Sequence, residues 1–125
     1  MNQEEYGDLI RLVKDRAGRT FRSAWKYDDE GWDALYVRGD IATEELENTI
    51  SELIQNAREY EPIVPHDIYS GMGRTEAMIE LHEDAILLYF RESETEGVAV
   101  TLDKEAGQDL ATFVERCIAL LRKTR

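Results

Sequence analysis

Two histidines, one cysteine and a glycine-rich stretch ending in arginine are the residues whose types could carry chemistry. His66 stands beside Asp67, and His82 stands beside Glu83 and Asp84. Imidazole and carboxylate groups ligate transition metals when a fold gathers them. Nothing in the spacing gathers these, and neither histidine has a helical His partner. They read as surface histidines among acids, and no metal is expected. Cys117 lies on an apolar helical stripe, where a free thiol packs as a small hydrophobe. A nucleophilic role would need a neighbouring base and a polar, accessible setting. Ser70-Gly71-Met72-Gly73-Arg74 has glycines that let a backbone approach a phosphate, and an arginine able to grip one bidentately. It precedes a strand instead of a helix, so it fits no phosphate-loop or dinucleotide pattern and reads as a flexible loop. The carboxylates are too numerous for any acid–base pair to stand out. No catalytic residue and no cofactor is expected.

Aromatic residues crowd the segment from Phe21 to Tyr36, with Trp25, Tyr27 and Trp32 between them and Arg22, Lys26 and Arg38 nearby. A basic aromatic sheet face can stack nucleic-acid bases. The overall charge opposes that. The 125 residues carry 27 acids against 15 bases, a formal net charge of -12. Nucleic acid and anionic membrane are therefore unfavoured partners. The four lysines are Lys14, Lys26, Lys104 and Lys123; the other basic residues are arginines. Distributed carboxylates with few lysines suit concentrated salt, where the Debye length falls to about 3 Å and self-repulsion is screened. One cysteine excludes an internal disulfide framework. The longest apolar run, Ala85–Phe90, is far short of the roughly 20 residues that span a bilayer. Met-Asn-Gln-Glu-Glu at the start has neither a basic segment nor an apolar signal core. A cytoplasmic chain forming one domain over 1–125 is expected.

The elements that must position these residues follow from periodicity. Tyr6, Leu9, Ile10, Val13 and Ala17 predict a helix over 3–17 that Gly18 stops. Thr20–Tyr27 and Trp32–Arg38 predict a hairpin around Asp28-Asp29-Glu30-Gly31. Phe21, Ser23, Trp25 and Tyr27 share one face of its first strand; Arg22, Ala24 and Lys26 share the other. Thr43 predicts an N-cap for a helix to about Glu59, with Leu46, Ile50, Leu53, Ile54 and Ala57 as its stripe. Residues 60–73 hold both prolines, Pro62 and Pro65, and form the one long loop. Strands are expected at Arg74–His82, at Ala85–Arg91 (apolar on both faces, hence interior) and at 98–102. Asp103 is expected to cap a last helix with Ala106, Leu110, Phe113, Val114, Cys117 and Leu121 as its stripe.

The order α-β-β-α-β-β-β-α, with short links between consecutive strands, predicts an α+β fold. It is a five-stranded antiparallel sheet with helices packed on its faces. That order and length resemble the Roadblock/LC7 and other profilin-like domains. The segments Ala34–Asp40, Gly97–Ala106 and Phe113–Cys117 are similar to small acidic proteins of haloarchaea. The Roadblock resemblance implies a homodimer joined through residues 43–59 and 74–82, with Leu46, Ile50, Glu76, Met78 and Glu80 as candidate interface. Met78 fits this, being apolar between two glutamates on one strand face. The resemblance further implies a protein partner such as a small GTPase or a signalling protein. The favoured function is thus a non-enzymatic interaction or regulatory module. The alternative is a small-ligand sensor using the 60–73 loop, with Tyr69, Met72 and Arg74 as contacts. A small enzyme of unknown reaction ranks third.

Overall fold

The computed structural model describes residues 3–123. Helix α1 spans Gln3–Ala17, and Gly18 ends it at φ +55°, a left-handed conformation that costs glycine little. A 3-10 turn at Gly18–Thr20 leads into strands β1 (Phe21–Tyr27) and β2 (Trp32–Val37). The connecting turn is closed by the Asp28 carboxylate, whose Oδ1 accepts from the Glu30 and Gly31 amides at 2.8 and 3.0 Å. One expectation from strand alternation fails in β1. The ladder to the last strand slips between Phe21 and Ser23, leaving Arg22 as an extra residue. Phe21 thereby turns to the opposite face from Ser23, Trp25 and Tyr27. It stacks on Tyr36 with ring centroids 4.3 Å apart and is 1% exposed.

Helix α2 spans Glu44–Glu59. Thr43 Oγ1 accepts from the Leu46 amide at 3.2 Å, and Glu44, Glu45 and Glu47 sit in the first turn, where the helix dipole favours them. Replacing Thr43 with Ala is expected to cost about 1 kcal/mol, seen as a lower denaturant midpoint at unchanged slope.

The strands after the long loop are β3 (Met78–Leu81), β4 (Ala85–Arg91) and β5 (Gly97–Asp103). β3 is half the length expected from its alternation. Its ladder begins at Met78 against Tyr89, although β4 runs on to Arg91 against β5. Glu76 therefore lies outside the strand that was expected to carry it. The sheet order is β2-β1-β5-β4-β3, antiparallel throughout. The fold is α+β with the anticipated element order.

Two cores flank the sheet. α1 brings Tyr6 over Phe21, Ala24, Val98 and Val100. α2 brings Ile50 and Ile54 over Trp25, Tyr27 and Tyr89.

The last helix departs from expectation twice. Asp103 does not cap it. A 3-10 turn at Lys104–Gly107 intervenes, and α3 spans Gln108–Lys123. The Asp103 carboxylate instead faces the Arg38 guanidinium, which donates to both its oxygens at 2.7 and 3.0 Å. Secondly, the apolar stripe of α3 is not buried. Ala111 is fully covered, yet Phe113 is 65%, Leu121 62% and Leu110 45% exposed, and Cys117 is exposed, not packed in the core. The reason lies in how the helix is tethered. α1 already covers Phe21, Val98 and Val100, and Gly107 lies so close to Ile86 that a Cβ there would stand 2.6 Å from its Cδ1. A Lys104–Glu115 ion pair adds a second tether. Among the described residues of α3, Ala111 and Val114 are the ones that are not exposed, so this side of the helix faces the body.

Candidate functional site

β5 is the middle strand, and its residues facing α2 are small: Ala99 and Thr101. Large residues alternate with them on the α1 side, namely Val98, Val100 and Leu102. With a low floor at its centre, the α2 side of the sheet leaves a groove of about 600 Å³. Trp25, Leu46, Ile50, Leu53, Met78, Leu87 and Tyr89 are among its apolar walls. Arg22, Asp40, Glu45, Glu80 and His82 also line it.

The floor carries one polar cluster. Ser23, 2% exposed, shares a hydrogen bond with the Thr101 hydroxyl at 2.5 Å and accepts one from the Trp25 indole N–H at 3.0 Å. Neither partner is a base, so the cluster orients a hydroxyl and does not activate it. His82 pairs with Glu80 at 2.9 Å, with both side chains well exposed. Among the described residues, no group of three or more His, Cys, Asp and Glu side chains could hold a metal ion.

One end of the groove is closed by a clamp on α2. The Tyr89 hydroxyl donates to the Ala57 carbonyl at 2.9 Å. Arg91 donates to the carbonyls of Ala57 at 3.1 Å and Arg58 at 2.9 Å, and also to that of Tyr60. A guanidinium thus meets the negative pole of α2 and its terminal carbonyls, of which Ala57 also accepts from the Tyr60 amide at 3.3 Å. The Tyr27 and Tyr89 hydroxyls are hydrogen-bonded to each other. Burial, reinforced by Tyr89, pushes the Tyr27 phenol far above its ordinary range. Arg58 reaches back to the Asp28 carbonyl at 2.6 Å, tying α2 to the hairpin turn.

A second polar cluster joins β1, β2 and β5. Arg38 binds Asp103 as above, Asp40 at 2.6 and 3.0 Å, and the Arg19 carbonyl at 2.7 Å. Its hydrogen bonds hold the Asp103 carboxyl below the usual carboxylate range, with Arg22 adding to the effect. A lowered carboxyl pKa stabilises the fold above the unfolded-state value, and that contribution is lost as pH falls through the lower folded-state value. Arg38, expected beside a base-stacking face, is fully occupied as a staple between strands.

The structure divides the residues singled out from sequence. Leu46, Ile50, Met78 and Glu80 all line the groove, although Ile50 is only 3% exposed and so is spent within the chain's own core. Glu76 does not line it. Tyr69, Met72 and Arg74 do not line it either; Tyr69 is 55% and Met72 74% exposed in the outlying loop. Tyr60 is the one residue of 60–73 that reaches the groove. Trp25, singled out among the hairpin aromatics, lines the groove, whereas Ser23 and Thr101 are lining residues that sequence reasoning passed over. The signal for Thr101 was the alternation of large and small residues in Val98-Ala99-Val100-Thr101.

A family model described as "Domain of unknown function (DUF7522)" matches residues 7–122. The chain belongs to this family. No curated protein matches the sequence. The family's match runs from α1 through most of α3, so the groove, the clamp and the exposed helix all lie within it.

Proposed function

We propose that the chain is a non-enzymatic interaction module of the cytoplasm that works as a homodimer in concentrated salt. The observation that carries this reading is the apolar surface left uncovered at one end of the sheet and on α3. β3 is an edge strand of four residues whose Ile79 is 56% exposed, and α3 shows Phe113 and Leu121 to solvent. Open sheet edges and contiguous apolar patches are surfaces that proteins cover with partners. The acidic composition supports the saline setting, since a charge of -12 opposes self-association unless it is screened. The element order supports a Roadblock-like module with a small GTPase or signalling protein as further partner, and Leu46 and Met78 beside the β3 edge fit the α2–β3 pairing of that fold.

Light scattering in about 2 M potassium chloride, at micromolar chain, is expected to give twice the mass of 14.4 kDa. A monomer mass at every salt and chain concentration would overturn the reading. The groove favours a second reading, a module for a small, mostly apolar ligand. Its contacts would be Trp25, Ser23, Thr101 and Met78, in place of the loop residues Tyr69, Met72 and Arg74.

A further inference from the structure

We infer that α3 pairs with α3 of a second copy as a short antiparallel coiled coil. This rests on the homodimer reading above and names the surface that forms it. Leu110, Phe113, Cys117 and Leu120 recur at alternating spacings of three and four residues, the a and d positions of a heptad. All of them are exposed: Leu110 45%, Phe113 65% and Leu120 65%, with the Cys117 thiol free. A seam with this spacing, open along its whole length, is built to receive another helix. Ala111 and Val114, on the neighbouring side, hold the helix to its own body. The helix is thus already formed and oriented, which lowers the ordering cost of association.

The flanking positions select a second copy and its direction. On one flank stand Asp109, Arg116 and Lys123; on the other, Val114 and Leu121. An antiparallel pair sets each flank against its own kind. Asp109 then meets Lys123 of the partner subunit, twice by symmetry. The Arg116 residues approach each other once, near the dyad, so two attractive contacts oppose one repulsive contact. A parallel pair would set the charged flank against the apolar one and leave these charges without partners.

The test is sedimentation of the full chain in about 2 M potassium chloride, where the repulsion between acidic bodies is screened. Phe113→Glu is expected to weaken dimerisation by at least about 30-fold, the loss typical of a central apolar anchor. Its circular dichroism should match the parent, because the side chain is exposed. Across a falling salt series, at the lowest salt in which the parent still dimerises, Asp109→Lys is expected to weaken the dimer and adding Lys123→Asp to restore it, an effect that fades in molar salt, where these exposed charges are screened, and that only the antiparallel arrangement provides. If Phe113→Glu remains dimeric while Met78→Asp becomes monomeric, the α3 pairing is wrong and the homodimer stands on the β3 edge. If the parent chain is monomeric in all conditions, both fail together.

Discussion

Raising potassium chloride from about 0.1 M to about 1 M is expected to stabilise the folded chain by about 3 kcal/mol. A compact chain of this length has a radius of gyration of about 14 Å, equivalent to a sphere of about 18 Å. A net charge of -12 spread over it repels itself by about 6 kcal/mol at the lower salt and about 2 kcal/mol at the higher. The unfolded chain is more than twice as wide, and relief of its own repulsion removes less than about 1 kcal/mol from that gain. In a thermal scan the midpoint should rise by about 10 °C. Sodium chloride should do the same, since the effect is screening. A midpoint that stays level across the series would show that the dispersed carboxylates do not govern stability.

Replacing Arg91 with Ala is expected to destabilise the chain by about 3 kcal/mol. The guanidinium donates to three carbonyls at the end of α2, and no other side chain among the described residues is shown meeting those of Arg58 and Tyr60. Hydrogen bonds from a charged donor are worth more than neutral ones, and this donor also offsets the negative pole of the helix. Arg91→Lys should recover part of the loss, because it restores the charge without the planar fork. The local signature is faster hydrogen exchange over the last turn of α2. A loss below about 1 kcal/mol, the value of an ordinary surface ion pair, would show that the packing of Ile50 and Ile54 and the Tyr89 and Arg58 hydrogen bonds hold α2 without Arg91.

What sequence revealed and what it concealed have separate physical causes. Gly18, the Thr43 cap and the Asp28 turn act within a few residues, so their chemistry is legible locally. The slip at Arg22 is not, because it depends on the register with β5, some 80 residues further along. Asp103 carries the cap chemistry for α3 and is drawn elsewhere by Arg38, a competition between a local bond and a distant bidentate one. The α3 stripe reads as amphipathic from Ala106 on; its spacing holds from Leu110, while Ala106 falls in the 3-10 turn before the helix. Periodicity says that such a face wants cover and is silent on whether its own chain or another supplies it. The groove was hidden because it is an absence of volume, created by Ala99 and Thr101 only once β5 takes the middle of the sheet.

That middle position also shapes how the molecule assembles from its unfolded state. The β1–β5 ladder pairs Trp25 with Ala99 and is the seam between the hairpin half and the three-strand half. The seam closes a very long loop, while the other three ladders join consecutive strands, so the entropic cost of chain closure falls on this one pairing. The outlying loop, with Ile63 98% exposed, separates the halves without contributing a ladder. A backbone nick there would leave every strand pairing in place, and the two fragments would remain bound as a complementing pair.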